Sequence, residues 1–263
     1  MLDLMTADHS YLLGLLQTDG THSGSTAGRG RVTLELSARD AEIAPRLQAV
    51  IPCYSSVGTR TRRTNFSTSY ESVLLRFYDL ETRCELESLG LPTGKKSHSI
   101  APPPVSLNGA AYLRGLLDGD GSLGMTARDM PFVSFVTVSQ PMADYVARIF
   151  SEVSGLAYRV PGRNARDGAY NVMVTNVSAQ KVCAYAYPSD DVLALARKLE
   201  QARKLAMWAP DPAKAWRYGN PRKKWTPDED RVVRSLPVAE AARQLERTEK
   251  SVRVRRCRLT QQS

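Results

Sequence analysis

Residues 11–20 read Tyr-Leu-Leu-Gly-Leu-Leu-Gln-Thr-Asp-Gly, and residues 112–121 read Tyr-Leu-Arg-Gly-Leu-Leu-Asp-Gly-Asp-Gly. The two stretches begin 101 residues apart, and most of their positions return in register. Each is apolar enough for a short buried helix, and each ends in Asp-Gly. A strand-like run and then a helical run follow both copies. Repetition at a fixed period indicates two structurally similar halves.

The predicted elements follow the same order in both halves. Strands are predicted at 31–37, 56–61 and 72–78 and at 132–138, 157–161 and 170–175, and helices at 40–50 and 142–153. Prolines at 92 and 102–104 bracket a stretch that cannot form a long helix, so the linker between the halves lies there. The sequence therefore predicts half-domains at 1–100 and 101–208, each helix–strand–strand–helix–strand–strand–helix, and a third module at 222–263.

The glycines inside the two repeated helices predict how the halves pack. Gly14 and Gly115 lie in mid-helix, where glycine costs about 1 kcal/mol relative to alanine. Close approach of a second backbone explains why glycine is kept there. We therefore expect the two helices to pack on each other about a pseudo-two-fold axis, with both glycines at the seam.

Each repeated helix also places an aspartate, Asp19 or Asp120, at its C-terminus. The helix dipole is negative there and disfavours a carboxylate by up to about 1 kcal/mol. Gly20 and Gly121 are predicted to be left-handed residues just past the helix ends. One such helix alone would be an ordinary buried helix with a glycine cap. Two in register indicate paired carboxylates that hold divalent metal for phosphodiester hydrolysis, and Mg²⁺ is the predicted ion because it prefers oxygen ligands.

The net charge of +9 is concentrated near the C-terminus. Residues 197–263 contain 18 Lys+Arg and 8 Asp+Glu, whereas residues 1–196 contain 18 and 19. This asymmetry favours a nucleic-acid partner over a merely solubilising tail. The sequence has no membrane-spanning apolar run and no signal peptide. Its four scattered cysteines predict isolated thiols in a reducing compartment, the cytoplasm (a bacterial or phage nucleoid) or an organelle.

Residues 12–20 and 113–121 together resemble the two motifs of monomeric LAGLIDADG homing endonucleases, and the likeness covers about residues 5–208. The resemblance implies an α+β fold, a pseudo-two-fold pair of αββαββα half-domains whose strands form a DNA-binding saddle. It also implies a monomer that cuts double-stranded DNA at a long asymmetric site with Mg²⁺, two or three ions per site, and leaves short 3′ overhangs. Gln17 stands where the family often has an acid, which Asp118 retains.

The resemblance implies roles for individual residues. These are Asp19 and Asp120 as metal-binding acids, the carbonyls of Thr18 and Gly119 as further metal ligands, Gln140 as a water-orienting group, and Lys198 with either Lys95 or Lys96 as catalytic lysines. The first-half counterpart of Gln140 falls near Arg39 and departs from the family pattern. The lysines would hold a water or offset negative charge on the phosphate. An ordinary solvated lysine is the alternative for each.

Arginines on the strands are the predicted DNA contacts, because alternate strand residues share a face and an arginine fork reads guanine or grips phosphate. The candidates are Arg29, Arg31, Arg60, Arg62, Arg63 and Arg76 in the first half and Arg159, Arg163 and Arg166 in the second. About a third of these are expected to be ordinary surface charges.

The C-terminal segment predicts a small all-α module of three helices, which begin near Trp225, Val238 and Arg247. Val252 and Leu259 are predicted to pack inward, and Thr248 is predicted to be an N-cap. The candidate DNA contacts are Lys250, Arg253, Arg255 and Arg256. The pattern resembles a Myb/SANT-like helix-turn-helix, whose third helix enters the major groove. A basic tail that binds phosphates without sequence preference is the alternative.

Two other functions share the predicted fold. An RNA-binding maturase would keep the fold and tolerate loss of the acids, and a transcription regulator would join the same fold to a helix-turn-helix. Both acids are present, which favours the nuclease. An intein is disfavoured, because the chain lacks a Cys or Ser at its start and a terminal His-Asn.

Overall fold

The computed structural model of the protein describes residues 1–63, 69–158, 160–210 and 225–260. The chain forms two compact units, residues 1–211 and residues 212–263, which we call the body and the C-terminal module. The predicted start of the third module at residue 222 lies outside the described residues. None of the described helices is long and apolar enough to cross a membrane.

The helices and strands of the body repeat in order, with small differences. The first half contains α1 (Ala7–Asp19), β1 (Gly20–Gly24), β2 (Gly30–Ser37), a 3₁₀ helix (Ala38–Ile43), α2 (Ala44–Val50), β3 (Ser55–Arg62), β4 (Tyr70–Phe77) and α3 (Leu80–Ser88). The second half contains α4 (Gly109–Asp120), β5 (Gly121–Met125), β6 (Pro131–Thr137), α5 (Gln140–Ser154), β7 (Tyr170–Thr175), α6 (Asn176–Ala186) and α7 (Ala196–Ala206).

The repeated segments form α1 and α4, which pack against each other at the centre of the body. Gly14 and Gly115 lie at the contact, as predicted. A methyl group built on Gly14 would lie 2.5 Å from the carbonyl oxygen of Tyr112, and one on Gly115 would clash with the carbonyl of Tyr11. The two backbones therefore approach as closely as glycine allows.

The prediction of left-handed glycines at the helix ends is wrong. Gly20 and Gly121 are extended, with φ of −74° and −91°. β1 and β5 begin at these residues, so the chain passes directly from each helix into a strand. Glycine is still required at both positions. A methyl group on Gly121 would lie 2.5 Å from the carbonyl oxygen of Leu117, and a methyl group on Gly20 would clash with the carbonyl oxygen of Leu16.

Each half of the body contains one antiparallel sheet. The strand order is β1-β2-β4-β3 in the first sheet and β5-β6-β7 in the second. The equivalent pairs are Gly20 with Leu34 and Gly121 with Phe135, and Thr33 with Arg76 and Ser134 with Met173. The two sheets therefore share one register, and positions that differ by 101 in β2 and β6 are structurally equivalent.

Two predicted elements differ in the structure. The predicted helix 40–50 is a 3₁₀ helix followed by α2, because Pro45, in the first turn of α2, lacks the N–H that would continue the preceding helix. Residues 157, 158, 160 and 161 form no strand, and residue 159 lies outside the described residues. The hydroxyl of Tyr158 accepts the backbone N–H of Met173 at 2.8 Å, which occupies a donor that a neighbouring strand would need.

The C-terminal module contains α8 (Pro227–Ser235), α9 (Val238–Gln244) and α10 (Glu249–Thr260). Its buried core consists of Val233, Ala241, Ala242, Val252 and Leu259. Thr226 and Glu229 form a reciprocal capping box at the start of α8. The Thr248 hydroxyl accepts the N–H of Ser251 at 3.2 Å, so the predicted N-cap of α10 is confirmed.

Candidate active site

The C-terminal ends of α1 and α4 lie side by side and carry the two predicted acids. Asp19 ends α1 and Asp120 ends α4. The ends are so close that a methyl group on Gly119 would clash with the Thr18 hydroxyl. The last turn of neither helix contains a basic residue, so two negative dipole ends point to one place.

The Asp19 and Asp120 side chains reach solvent, but the surrounding protein displaces part of their water. This desolvation, with repulsion from Asp120, raises the pKa of Asp19 to about 6. Desolvation also raises the pKa of Asp120, against the opposing charges of Lys96 and Lys198. Two carboxylates in this situation are stabilised by a bound cation.

Lys96 is the first-half lysine that reaches these helix ends. Its Nζ donates hydrogen bonds to the carbonyl oxygens of residues 16–18 at 2.6–3.0 Å and so caps the last turn of α1. Burial lowers its pKa to about 8, although Asp19 and Asp120 act in the opposite direction. Lys95 is exposed, so the structure selects Lys96 from the two predicted candidates.

Lys198 occupies a different place on the second-half side. Its buried Nζ donates to the carbonyl oxygen of Gly121, the first residue of β5, and burial lowers its pKa. The neighbouring Arg197 forms an ion pair at 3.0 Å with the buried Asp40 of the first half and lowers the pKa of Asp19. Sequence analysis missed this pair, because nothing in the pattern around Asp40 distinguishes it from a surface acid.

The side chains two residues before Asp19 and Asp120, Gln17 and Asp118, hold the seam together. The Tyr11 hydroxyl donates to Asp118 at 2.7 Å across the seam, and the Tyr112 hydroxyl donates reciprocally to Gln17. Asp118 also accepts the Tyr187 hydroxyl and the Leu195 N–H, both at 2.7 Å. Gln17 and Asp118 are both fully buried, so this repeated position is structural, and its tolerance of Gln or Asp follows because both accept a hydrogen bond.

Gln140 begins α5, three residues after β6 ends at Thr137. Its exposed side chain accepts a hydrogen bond from the Tyr170 hydroxyl at 3.3 Å. Arg163 donates to the same hydroxyl at 3.1 Å and lies 4.8 Å from the Tyr170 ring centre. Tyr170, which sequence analysis did not single out, therefore joins two predicted site residues.

The solvent face of the first sheet carries four of the predicted DNA-contacting arginines. The register places Arg31, Arg60, Arg62 and Arg76 on the face opposite the core, together with Thr33 and Glu35. Glu35 is ion-paired with Arg62 at 3.3 Å and with Arg60 at 3.8 Å. It also accepts the Ser72 hydroxyl at 2.7 Å. Glu35 therefore fixes two arginine forks on a basic surface, a role that sequence analysis missed.

Three further predicted arginines of the body, Arg29, Arg63 and Arg166, lie in loops. Arg29 is exposed in the loop before β2, and Arg63 is exposed just after β3. Arg166 is exposed and pairs with Asp167 at 3.0 Å. Arg159 lies outside the described residues.

The β1–β2 loop is held by a buried arginine from α3. Arg83 donates to the carbonyls of Ser25 at 2.9 Å, Gly28 at 2.8 Å and Tyr78 at 3.1 Å. Because these bonds use all three guanidinium nitrogens, Arg83 fixes the loop that presents Arg29.

The equivalent β5–β6 loop is held differently. The Trp208 indole donates one hydrogen bond, at 3.0 Å, to the carbonyl of Asp129, which has a positive φ of 55°.

The C-terminal module uses two of its predicted contact residues internally. Arg255 forms a bidentate ion pair with Asp230 at 2.6 and 2.7 Å, and Arg256 donates to the carbonyls of Val233 and Leu236. Their side chains therefore join α10 to α8. The exposed residues of α10 are Glu249, Lys250, Arg253, Val254, Cys257, Arg258 and Thr260, and Arg253 is paired with Glu249 at 2.9 Å.

The residues at the two helix ends fit a divalent cation. Asp19 and Asp120 supply hard oxygen donors, and a cation beside them would offset the desolvation that raises the pKa of both carboxyl groups. The described residues contain no group of three or more His, Cys, Asp or Glu that could hold a metal. Two carboxylates at one place suit a divalent cation that keeps several waters and also binds through substrate phosphates.

Comparison with known proteins agrees with this geometry. Residues 108–185 match the model of the LAGLIDADG-like domain family. The homing endonuclease I-WcaI bound to its DNA recognition sequence superimposes with a TM-score of 0.54 at 9% identity over 76% of this chain and 88% of that chain. The body has the LAGLIDADG fold. The predicted fold class of the body is thereby confirmed.

Other LAGLIDADG structures are similar at lower scores. A double mutant of I-SmaMI has a TM-score of 0.48 at 10% identity over 77% of this chain and 90% of that chain. The N-terminal LAGLIDADG domain of DUF199/WhiA has a TM-score of 0.45 at 10% identity over 78% and 90%. No curated protein matches the chain.

Proposed function

We propose that the protein is a site-specific endonuclease that hydrolyses double-stranded DNA with a divalent metal ion, for which Mg²⁺ is the first candidate. The observation that carries this proposal is the meeting of Asp19 and Asp120 at adjoining helix ends, with Lys96 and Lys198 beside them. Both acids belong to one chain, so a monomer suffices. I-WcaI, which shares the fold, was solved on its DNA target.

The chain's own residues have distinct tasks in this reaction. Asp19 and Asp120 would hold the metal ions, which when bound would activate water and stabilise the leaving oxygen. Lys96 and Lys198 place ammonium groups near the two acids and would offset charge that develops on the phosphate. Gln140, held by Tyr170, would orient a water. The different contacts of the two lysines predict that the two strands of DNA are cut at unequal rates.

Cleavage of a randomised double-stranded library in Mg²⁺ tests the proposal. We expect double-strand breaks at one long sequence for the wild type and at least a hundredfold loss for Asp19→Asn and for Asp120→Asn, because each removes a metal-binding charge. Asp144→Asn is the matched control, since Asp144 is an exposed aspartate on α5, away from the helix ends. Its cleavage should equal that of the wild type.

Two other outcomes separate the alternative functions. Specific DNA binding without cutting, unchanged by either aspartate variant, would contradict the nuclease and support a DNA-binding regulator, an alternative that the basic C-terminal module favours. Selective binding of a structured RNA without DNA cleavage would support a maturase.

We propose further that the C-terminal module is a helix-turn-helix that contacts DNA through the exposed face of α10. Three helices with a common core and five basic residues against one acidic residue on α10 support this. Since Arg255 and Arg256 bond to α8, the contacting set is Lys250, Arg253 and Arg258. Arg258 thus replaces two of the residues that the sequence predicted.

The salt dependence of DNA binding by the full chain tests the role of the module. Each phosphate contact contributes about 0.9 to the slope of log affinity against log salt. We expect the double variant Lys250→Ala with Arg258→Ala to have a shallower slope, by the amount that corresponds to one or two lost phosphate contacts. Arg231→Ala, on α8 and paired with Asp228, is the control and should leave the slope unchanged. An unaltered slope in the double variant would contradict DNA contact by α10.

A further inference from the structure

The two sheets present opposite kinds of side chain at equivalent positions. Position by position in the shared register, Phe132 replaces Arg31, Ser134 replaces Thr33, Val136 replaces Glu35 and Met173 replaces Arg76. Every charge on these strand positions of the first sheet is therefore replaced by an apolar side chain in the second. The sheet faces have the same place in each half, but their chemistry differs.

The apolar side chains of the second sheet are open to solvent. Val136 is 43% exposed and Met173 is 42% exposed. They lie on adjacent strands, where Met173 pairs with Ser134 and Val136 pairs with the exposed Asn171. Among the described residues, the solvent face of β5, β6 and β7 contains hydroxyl, amide and apolar groups but no charged side chain. Such a face cannot grip phosphate or fork onto guanine as arginine does.

This face is continuous with the candidate active site. Val136 lines the same cavity, of about 230 Å³, as Lys96 and Asp120. A DNA duplex that reaches Asp120 therefore passes over Val136 and then along β6 and β7. The major-groove groups that suit apolar contact are the thymine methyls, and an asparagine pairs with the N6 and N7 edge of adenine.

We propose that the second sheet reads A·T base pairs, with thymine methyls on Val136 and Met173 and an adenine on Asn171, while the arginines of the first sheet read guanine. The target is then chemically asymmetric, with a guanine-containing arm and a thymine-rich arm. This inference rests on the proposed DNA target and adds which bases each half recognises.

The test begins with the sequences that the full-length protein cleaves or binds in a randomised library. We expect thymine-rich positions in one arm only. Replacing those thymines by deoxyuridine, which lacks the methyl, should weaken binding about fourfold for each methyl contacted. The same replacement in the other arm should have no effect.

Variants assign the arms and keep the test independent of folding. Val136→Ala should abolish the sensitivity to deoxyuridine at one position. Val57→Ala is the control and should leave that sensitivity unchanged, because Val57 is 42% exposed but lies on the face of the first sheet opposite to the arginines. Met173→Arg recreates the side chain of the equivalent Arg76, so we expect guanine to replace an A·T pair at its position in the selected sequence.

The possible failures are distinguishable. A cleaved sequence with guanine contacts in both arms, or thymine-rich positions insensitive to deoxyuridine, would overturn this inference and leave the endonuclease standing. Absence of any enriched DNA sequence would overturn both.

Discussion

The two halves of the body each contain a central helix and a sheet with the same strand register, but they differ in how they are stabilised and in which side chains they present to solvent. The seam is nearly symmetric, with Tyr11 bonded to Asp118 and Tyr112 bonded to Gln17. The sheet faces are not, because one carries arginines and the other carries Val136 and its neighbours. The comparison teaches that this duplicated fold keeps its symmetry where two backbones touch and loses it on the solvent faces of its sheets.

The largest expected effect tests how alike the two halves of the seam are in energy. Asp118→Ala leaves two buried tyrosine hydroxyls and the Leu195 N–H without an acceptor, so we expect a loss of about 4 kcal/mol in unfolding free energy. Gln17→Ala frees the Tyr112 hydroxyl and removes the amide N–H donor to the carbonyls of Leu89, Gly90 and Ala101, so it should cost about 3 kcal/mol. Denaturant unfolding measures both. Equal costs would show that the halves of the seam are energetically alike after all.

The seam glycines should show symmetry instead. Gly14→Ala and Gly115→Ala each force a methyl group against a backbone carbonyl of the other helix, so each should cost about 3 kcal/mol. Gly28→Ala is the control, since no atom lies within 4 Å of its added methyl group. Thermal unfolding compares the three. A mild cost for either seam variant would mean that the helices can separate without penalty.

The two loop contacts come next in size. Arg83→Lys replaces a fork that serves three carbonyls by a single ammonium, so we expect about 2 kcal/mol of lost stability and faster amide exchange in residues 24–30. Trp208→Phe removes one indole N–H from the second-half loop and should cost about 1 kcal/mol. Exchange measured by mass spectrometry should rise locally in each case. Unchanged exchange in residues 24–30 would contradict the role given to Arg83.

The smallest effect is the pH dependence of Asp19 without metal. The pKa of Asp19 is raised from 3.8 to about 6, so the folded protein binds this proton more tightly than the unfolded chain does. The protonated side chain therefore adds its full contribution to the free energy of unfolding below pH 4, and this contribution is lost as the pH rises through 6. Asp19→Asn should therefore be more stable than the wild type at pH 8 but not at pH 4. The side chain is exposed, so we expect less than about 1 kcal/mol.

Adding Mg²⁺ provides the control for that titration. The ion should raise the Tm of the wild type at pH 8 and leave that of Asp19→Asn nearly unchanged, because bound ligand stabilises only the folded form that holds it. If Mg²⁺ does not change the Tm of the wild type, the proposed metal site is contradicted.

Local patterns predicted the parts of this protein that depend on local chemistry. The repeat predicted paired helices, the glycines predicted their seam, and the C-terminal acids predicted adjoining carboxylates; the structure brings Asp19 and Asp120 together as expected. Most strands were placed within two residues of their bounds. The failures arose where a distant group intervened, as where Tyr158 takes the N–H that a strand at 157–161 would need.

The sequence by itself determined the duplication, the pairing of the acids and the basic C-terminal module, because these depend on residue type and spacing. Only the tertiary structure decided that Lys96 rather than Lys95 reaches the site, that Gln17 and Asp118 bind tyrosines across the seam, and that Arg255 is internal. It also decided which strand residues share a face, and thus that the solvent face of the first sheet is basic and that the described residues on the face of the second carry no charge. The physical reason is that hydrogen bonds and burial join residues far apart in the chain, and no local spacing encodes which of two neighbours points inward.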